Sequence, residues 1–179
     1  ASLPSPWAAE DERALQLRCA TLAARYGAPL AVIDDDPTGT QTVHSVPVLG
    51  SWSVDDLAAA LASDAPCFYV LSNTRALPEA DAVARAEEIG TNLRLAAARL
   101  AGADDAPPFP FGVVSRGDST LRGHYPAETD ALARGRGWDA PTLVLAPFFA
   151  EGGRLTAHDV HYVATPPDGS GTFTPAAET

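Results

Sequence analysis

Short apolar runs alternate with segments of helical period along this chain, and each run ends in a polar turn. The runs are Leu30–Ile33, Cys67–Leu71, Phe111–Ser115 and Leu143–Ala146, with Val43–Leu49 as a further candidate. A run of four to seven apolar residues bounded by turn formers reads as a buried strand. Between them, Val83, Ala86, Ile89, Leu93, Ala97 and Leu100 mark one face of a long helix that starts at about Pro78. Leu15, Cys19, Leu22 and Tyr26 predict a helix over 9–26, closed by Gly27; Ser53 caps a short helix over 54–63, and 126–134 reads as another. Strands that alternate with helices imply an α/β fold with an open, mainly parallel sheet and helices on both faces, a three-layer αβα arrangement. Pro47 argues for an edge position for the 43–49 strand.

In such a sheet the carboxyl ends of the strands share one rim, where open α/β sheets bind their ligands. The turns are therefore the candidate site. The first is Asp34-Asp35-Asp36-Pro37-Thr38-Gly39. Adjacent carboxylates repel and are costly to bury, so their place at a strand end suggests hydroxyl binding, proton transfer or metal coordination. A solvated Asp-Pro turn is the plainer alternative. The second is Ser115 to His124, where Arg116 and Arg122 offer planar forks for a carboxylate, and Asp118 offers a hydroxyl acceptor. Here the plainer alternative is a surface loop of local Arg–Asp pairs, which stabilise little. Ser72-Asn73-Thr74-Arg75 adds two hydroxyls, an amide and a guanidinium, or is simply a helix-capping turn. Gly152 and Gly153 suggest a close turn, over a ligand or on its own. His158 and His161 have loose metal spacing, and no metal site is expected.

Composition excludes several classes. The net charge is −11, with no basic patch, which argues against nucleic acid. All 12 basic residues are arginine, so a P-loop lysine and a lysine Schiff base are excluded. Two distant cysteines, Cys19 and Cys67, make no disulfide framework. No apolar run approaches the roughly 18 residues that span a bilayer. The acidic start lacks the basic region of a signal peptide, so a cytoplasmic location is expected. Residues 1–28 read as an N-terminal helical segment, 29–165 as the α/β domain, and 166–179, rich in Pro, Gly, Ser and Thr, as a flexible tail.

The run Asp34-Asp35-Asp36-Pro37-Thr38-Gly39-Thr40-Gln41-Thr42-Val43 resembles the opening motif of the four-carbon acid sugar kinase family. Arg116-Gly117-Asp118-Ser119-Thr120-Leu121-Arg122-Gly123-His124 resembles its second signature. Ser72–Arg75, Glu151–Arg154 and His161-Tyr162 are similar to further segments, in the same order, and the resemblance spans roughly residues 30–165. It implies an amino-terminal domain that binds threonate, erythronate or a 3-oxo-tetronate. ATP, with Mg2+, would be held by a separate carboxy-terminal domain that this chain does not contain, so the isolated chain is expected to be inactive and to bind no cofactor. Whether it is a truncated or a natural short form, and whether it is a homo-oligomer, is left open.

The resemblance assigns Asp34, Asp35 and Asp36 to the substrate side, one of them as base. It assigns Arg116 and Arg122 to the carboxylate, Asp118, Ser72 and Asn73 to hydroxyls, and Arg75, Ser119, Gly152 and Gly153 to the binding surface. Two rivals remain. One is a non-catalytic sugar-acid binding module. The other is a haloacid-dehalogenase-like phosphohydrolase, for which Asp34, Asp36 and Thr38 satisfy an Asp-x-Asp-x-Thr opening.

Overall fold

The computed structural model describes residues 8–102, 107–119, 122–166 and 171–178. They fall into two units, one of residues 28–144 and one of residues 1–27 with 145–179. The first described element is α1 (Ala9–Tyr26), which belongs to the second of these. Its acidic first turn and Arg25 in the last both complement the helix dipole, and Gly27 ends it at φ 63°.

The 28–144 unit is an α/β layer structure. Its strands are β1 (Leu30–Asp34), β2 (Val48–Leu49), β3 (Cys67–Leu71) and β4 (Gly112–Arg116). They form one sheet in the order β2-β3-β1-β4, and every pairing is parallel. Parallel neighbours need crossovers, and helices supply them. α2 (Val54–Leu61) joins β2 to β3, and α3 (Glu79–Ala101) joins β3 to β4. α4 (Ala127–Arg136) follows β4. The fold is thus the expected open parallel sheet flanked by helices, in keeping with a three-layer α/β architecture.

The pleat decides which residues face the helices. Phe68 and Val70 are fully buried while Cys67, Tyr69 and Leu71, which alternate with them, are half-buried. Phe68 and Val70 join Ala31 and Ile33 of β1 in one core with Leu57 and Leu61 of α2 and Ile89 and Leu93 of α3. Each large apolar side chain removed from water there contributes about 1.5–3 kcal/mol. α2 is capped as expected: Ser53 Oγ accepts from the Asp56 N–H at 3.1 Å. α3 and α4 cross closely at Gly90 and Gly135. A Cβ on Gly90 would meet the Leu132 carbonyl at 2.5 Å, and one on Gly135 would run into the Glu87 carbonyl.

Several elements differ from the sequence reading. β2 keeps only two residues of the expected 43–49, at the sheet edge that Pro47 foretold. Leu143–Ala146 forms no strand. No neighbouring strand pairs with it, and Leu143, Val144 and Leu145 are 61%, 81% and 64% exposed, so apolar character alone does not recruit it to the sheet. Within the supposed tail, residues 172–178 are structured. β5 (Arg154–Ala157), β6 (Val160–Thr165) and β7 (Thr172–Pro175) form an antiparallel sheet, so 166–179 contains a strand. The β5–β6 hairpin turns at His158 and Asp159, both at positive φ, 50° and 62°. That is the backbone of a two-residue hairpin turn without its usual Asn-Gly or Asp-Gly sequence. The division between the two compact units falls near 144–145, inside the span 29–165.

Candidate functional site

Register places the three polar clusters together. Asp34, the last residue of β1, lies opposite Leu71 of β3 on one side and Arg116 of β4 on the other. The turns 34–39, 72–75 and 116–122 consequently leave the same rim of the sheet. Main-chain bonds tie them: Asp34 O accepts from Ser72 N at 2.8 Å and from Ser72 Oγ at 2.9 Å, and Asp35 O accepts from Arg75 N at 3.1 Å. Asn73 bends that turn at φ 54°, a left-handed conformation that asparagine tolerates better than most residues. Ser72 Oγ also lies 3.1 Å from Thr74 Oγ1, and both residues are buried.

The three aspartates have three different surroundings. Asp34 is fully buried. Its Oδ1 accepts from Arg116 Nη1 and from the Asp36 N–H, each at 3.2 Å, whereas its buried Oδ2 has no partner among the described residues. Burial pushes this carboxyl above the usual carboxylate range, and the Asp36 N–H and the Arg116 charge only partly offset that. Gly39 closes over it, and any Cβ there would collide with the carboxylate. Asp35 is saturated. Arg75 grips it with Nε at 3.1 Å and Nη2 at 2.6 Å, and the Asp118 N–H adds a bond at 3.1 Å. Asp36 is the most accessible of the trio, with its side chain 22% exposed. Its Oδ1 accepts from the Thr38 hydroxyl at 2.6 Å and the Thr38 N–H at 2.7 Å, and its Oδ2 from Arg75 Nη1 at 2.6 Å. The Thr38 bonds hold it below the usual carboxylate range.

The arginines differ as well. The side chain of Arg75 is only 17% exposed, and its fork is spent on Asp35 and Asp36, with Asp118 at 3.9 Å. It acts as an internal clamp. Arg116 and Arg122 are 42% and 59% exposed, and the guanidinium of each bonds an aspartate, Arg116 to Asp34 and Arg122 Nη2 to Asp118 Oδ1 at 2.5 Å, while the Arg122 backbone N–H donates to Asp118 Oδ2 at 3.2 Å. Their guanidinium groups thus present themselves to solvent at the rim. Ser119 stands in the same loop; Thr120 and Leu121 lie outside the described residues. Four carboxylates meet three guanidinium groups here, so the rim is close to neutral in a chain of net charge −11.

Gly152 and Gly153 belong to the other unit, where Gly153 ends a short 3-10 turn at φ 65° and a Cβ on Gly152 would strike the Phe149 ring. Among the described residues no group of three or more His, Cys, Asp or Glu is placed to hold a metal ion. His161 Nδ1 instead lies 2.9 Å from Thr156 Oγ1. Sequence reasoning missed Arg85, whose Nη1 donates to Ser72 O at 2.8 Å and which nothing in its local sequence marks. His124, which closes the second motif but was given no role, sets its Nε2 2.9 Å from Leu77 O. Gly39 was read only as a turn former, and its packing on Asp34 needs the fold to be seen.

Comparison with known proteins gives one match. The family described as a sugar-binding N-terminal domain matches residues 30–179. No curated protein and no solved structure matches. The match bears out the resemblance, drawn from the two motifs, to an amino-terminal sugar-binding domain, and this chain belongs to the sugar-binding N-terminal domain family.

Proposed function

We propose that this domain is the substrate-binding half of an ATP-dependent kinase acting on a four-carbon acid sugar of the threonate, erythronate or 3-oxo-tetronate type. One observation carries the reading: two solvent-facing guanidinium groups, Arg116 and Arg122, stand beside aspartates at the carboxyl rim of a parallel sheet. A sugar acid has one carboxylate and several hydroxyls, and that rim offers forked donors for the first and acceptors for the second. Asp36, the accessible carboxylate, is assigned to the hydroxyl that is phosphorylated. Its lowered pKa is no obstacle, because phosphoryl transfer depends chiefly on positioning and charge stabilisation. Asp34 and Asp35 hold the frame, with Ser72, Asn73 and Asp118 as hydroxyl partners.

Mg2+ and ATP do not fit these residues. The rim carboxylates are already ion-paired with arginine, and no lysine exists to reach a phosphate. Nucleotide and metal would be held by a partner domain. The phosphohydrolase reading has less support, because its nucleophile, Asp34, is fully buried behind Gly39. A stand-alone binding module would use the same rim without phosphoryl transfer. We place the protein in the cytoplasm, in keeping with the free thiols of Cys19 and Cys67; among the described residues no helix is long and apolar enough to cross a membrane.

Calorimetry tests the binding half of the proposal. Threonate or erythronate should bind, and Arg116→Ala or Arg122→Ala should weaken binding about 10- to 100-fold, the loss of one charge-assisted pair of roughly 1.5–3 kcal/mol. Binding of an uncharged tetritol should change much less, and lysine should rescue poorly. Equal losses for acid and tetritol would remove both arginines from carboxylate recognition. ADP release by the full-length protein with the same acids separates kinase from binding module.

A further inference from the structure

A second cationic cluster sits at the far end of the sheet from the aspartates. Arg136, the last residue of α4, places its guanidinium 4.3 Å from the ring centre of Phe111, just before β4, and 5.0 Å from that of Trp138. Its Nε is buried without a hydrogen-bond partner among the described residues. Arg94 of α3 reaches the same place, with Nε donating to Gly135 O at 3.4 Å. The close helix crossing at Gly90 and Gly135 forces this meeting, since the helices approach too tightly for a side chain at either glycine. Burial first, and then the charge of Arg94, lower the Arg136 pKa, so the two cations oppose one another. Among the described residues no carboxylate pairs with either arginine, although the chain has 23 acidic residues.

Aromatic stacking stabilises a single guanidinium. It does not account for a second cation whose charge opposes the first, with no counter-charge among the described residues. We propose that Arg94 and Arg136 form a second anion site, separate from the sugar rim, that takes a phosphate-type oxyanion, either free phosphate or the phosphate group of an ester. Two guanidinium groups match an anion of charge near −2, and their forks match its oxygens. The stack on Phe111 and Trp138 holds the Arg136 plane in place before the ligand arrives, which lowers the ordering cost of binding.

Trp138 is a local reporter, because its ring lies against Arg136. In a heteronuclear NMR titration of the 179-residue chain, inorganic phosphate should move the Trp138 indole resonance saturably, beyond any movement in chloride at equal ionic strength. Glycerol phosphate in a parallel titration distinguishes an ester from the free anion. Arg94→Gln, which leaves the aromatic stack intact, should weaken the response about tenfold or more. Arg136→Gln should abolish it, with circular dichroism confirming the fold. An identical response to chloride, or one indifferent to Arg94→Gln, overturns the site. So does a Trp138 shift in phosphate-free buffer on Asp104→Asn with Asp105→Asn, at acidic residues between α3 and Phe111 that lie outside the described residues, since the chain's own carboxylates would then be the counter-ions.

Discussion

Burial raises the Asp34 carboxyl, while bonds from Thr38 lower that of Asp36, two residues away. The signs of their contributions to stability are opposite. Asp36, with its pKa depressed in the folded state, stabilises the fold above the unfolded carboxylate pKa, and this is lost as pH falls through its folded value. Asp34, with its pKa raised, favours the fold at acid pH, and this is lost as pH rises through its folded value. Carbon-13 titration of the aspartate carboxyls should therefore find Asp34 protonated to a higher pH than Asp36, and the reverse order would refute the burial argument. Arg75 yields a second expectation. Its fork neutralises Asp35, whose side chain is only 5% exposed, so Arg75→Ala leaves a buried charge unpaired and should cost about 3–5 kcal/mol in urea unfolding. Arg75→Lys should recover only part of this, because a single ammonium cannot span Asp35 and Asp36 in the same geometry. Full recovery by lysine would show that charge alone suffices. The chemistry of these residues was legible in the sequence, since carboxylates and guanidinium groups stood in the right turns. Their division of labour was not. Arg75 meets Asp35 across 40 positions and Arg116 meets Asp34 across 82, and such pairings depend on strand register rather than on local pattern.

At the scale of elements, β1, β3, α2 and α3 agree with their sequence signals because burial and periodicity point the same way at each. Phe68 and Val70 alternate as a half-buried strand should, and Ser53 caps where a cap was expected. Leu143–Ala146 carries the apolar signal without a partner strand, and β5 and β7 carry pairing with little apolar signal of their own. Strand formation needs a neighbour to receive its N–H and C=O groups, and that neighbour is invisible in a local window. The helices hide one feature of the same kind. Gly90 and Gly135 look like weak points in helical segments, yet each permits the close approach of α3 and α4. Alanine is the better helix former, by roughly 1 kcal/mol, and an isolated helix would gain from the change. Here the added methyl has only backbone to push against, so overpacking should dominate. Gly90→Ala or Gly135→Ala should destabilise the protein by about 1–3 kcal/mol, read from the urea midpoint at unchanged slope. A stabilised variant would mean that the crossing relaxes at little cost.

For the molecule as a whole, the family match over residues 30–179 covers parts of both compact units, while all three rim clusters lie within 28–144. A kinase needs more than that rim. Phosphoryl transfer requires cations around the nucleotide phosphates and a metal bridging them. This chain has no lysine, and Arg75 and Arg116 are each bonded to aspartate carboxylates. Arg122 is bonded to Asp118, and among the described residues no acidic or histidine group is arranged for a metal ion. Binding a small sugar acid makes smaller demands, since one carboxylate needs one or two exposed forks and its hydroxyls need acceptors already in place. The two activities should therefore separate in the 179-residue chain. Calorimetry with threonate or erythronate should give a saturable binding isotherm in the absence of nucleotide. A coupled ADP-release assay with the same acids, ATP and Mg2+ should give no turnover above the enzyme-free blank. Robust ADP release by a mass-verified 179-residue product, lost on Asp36→Asn, would show that these residues assemble a nucleotide site of their own, and the assignment of ATP to a separate domain would fall.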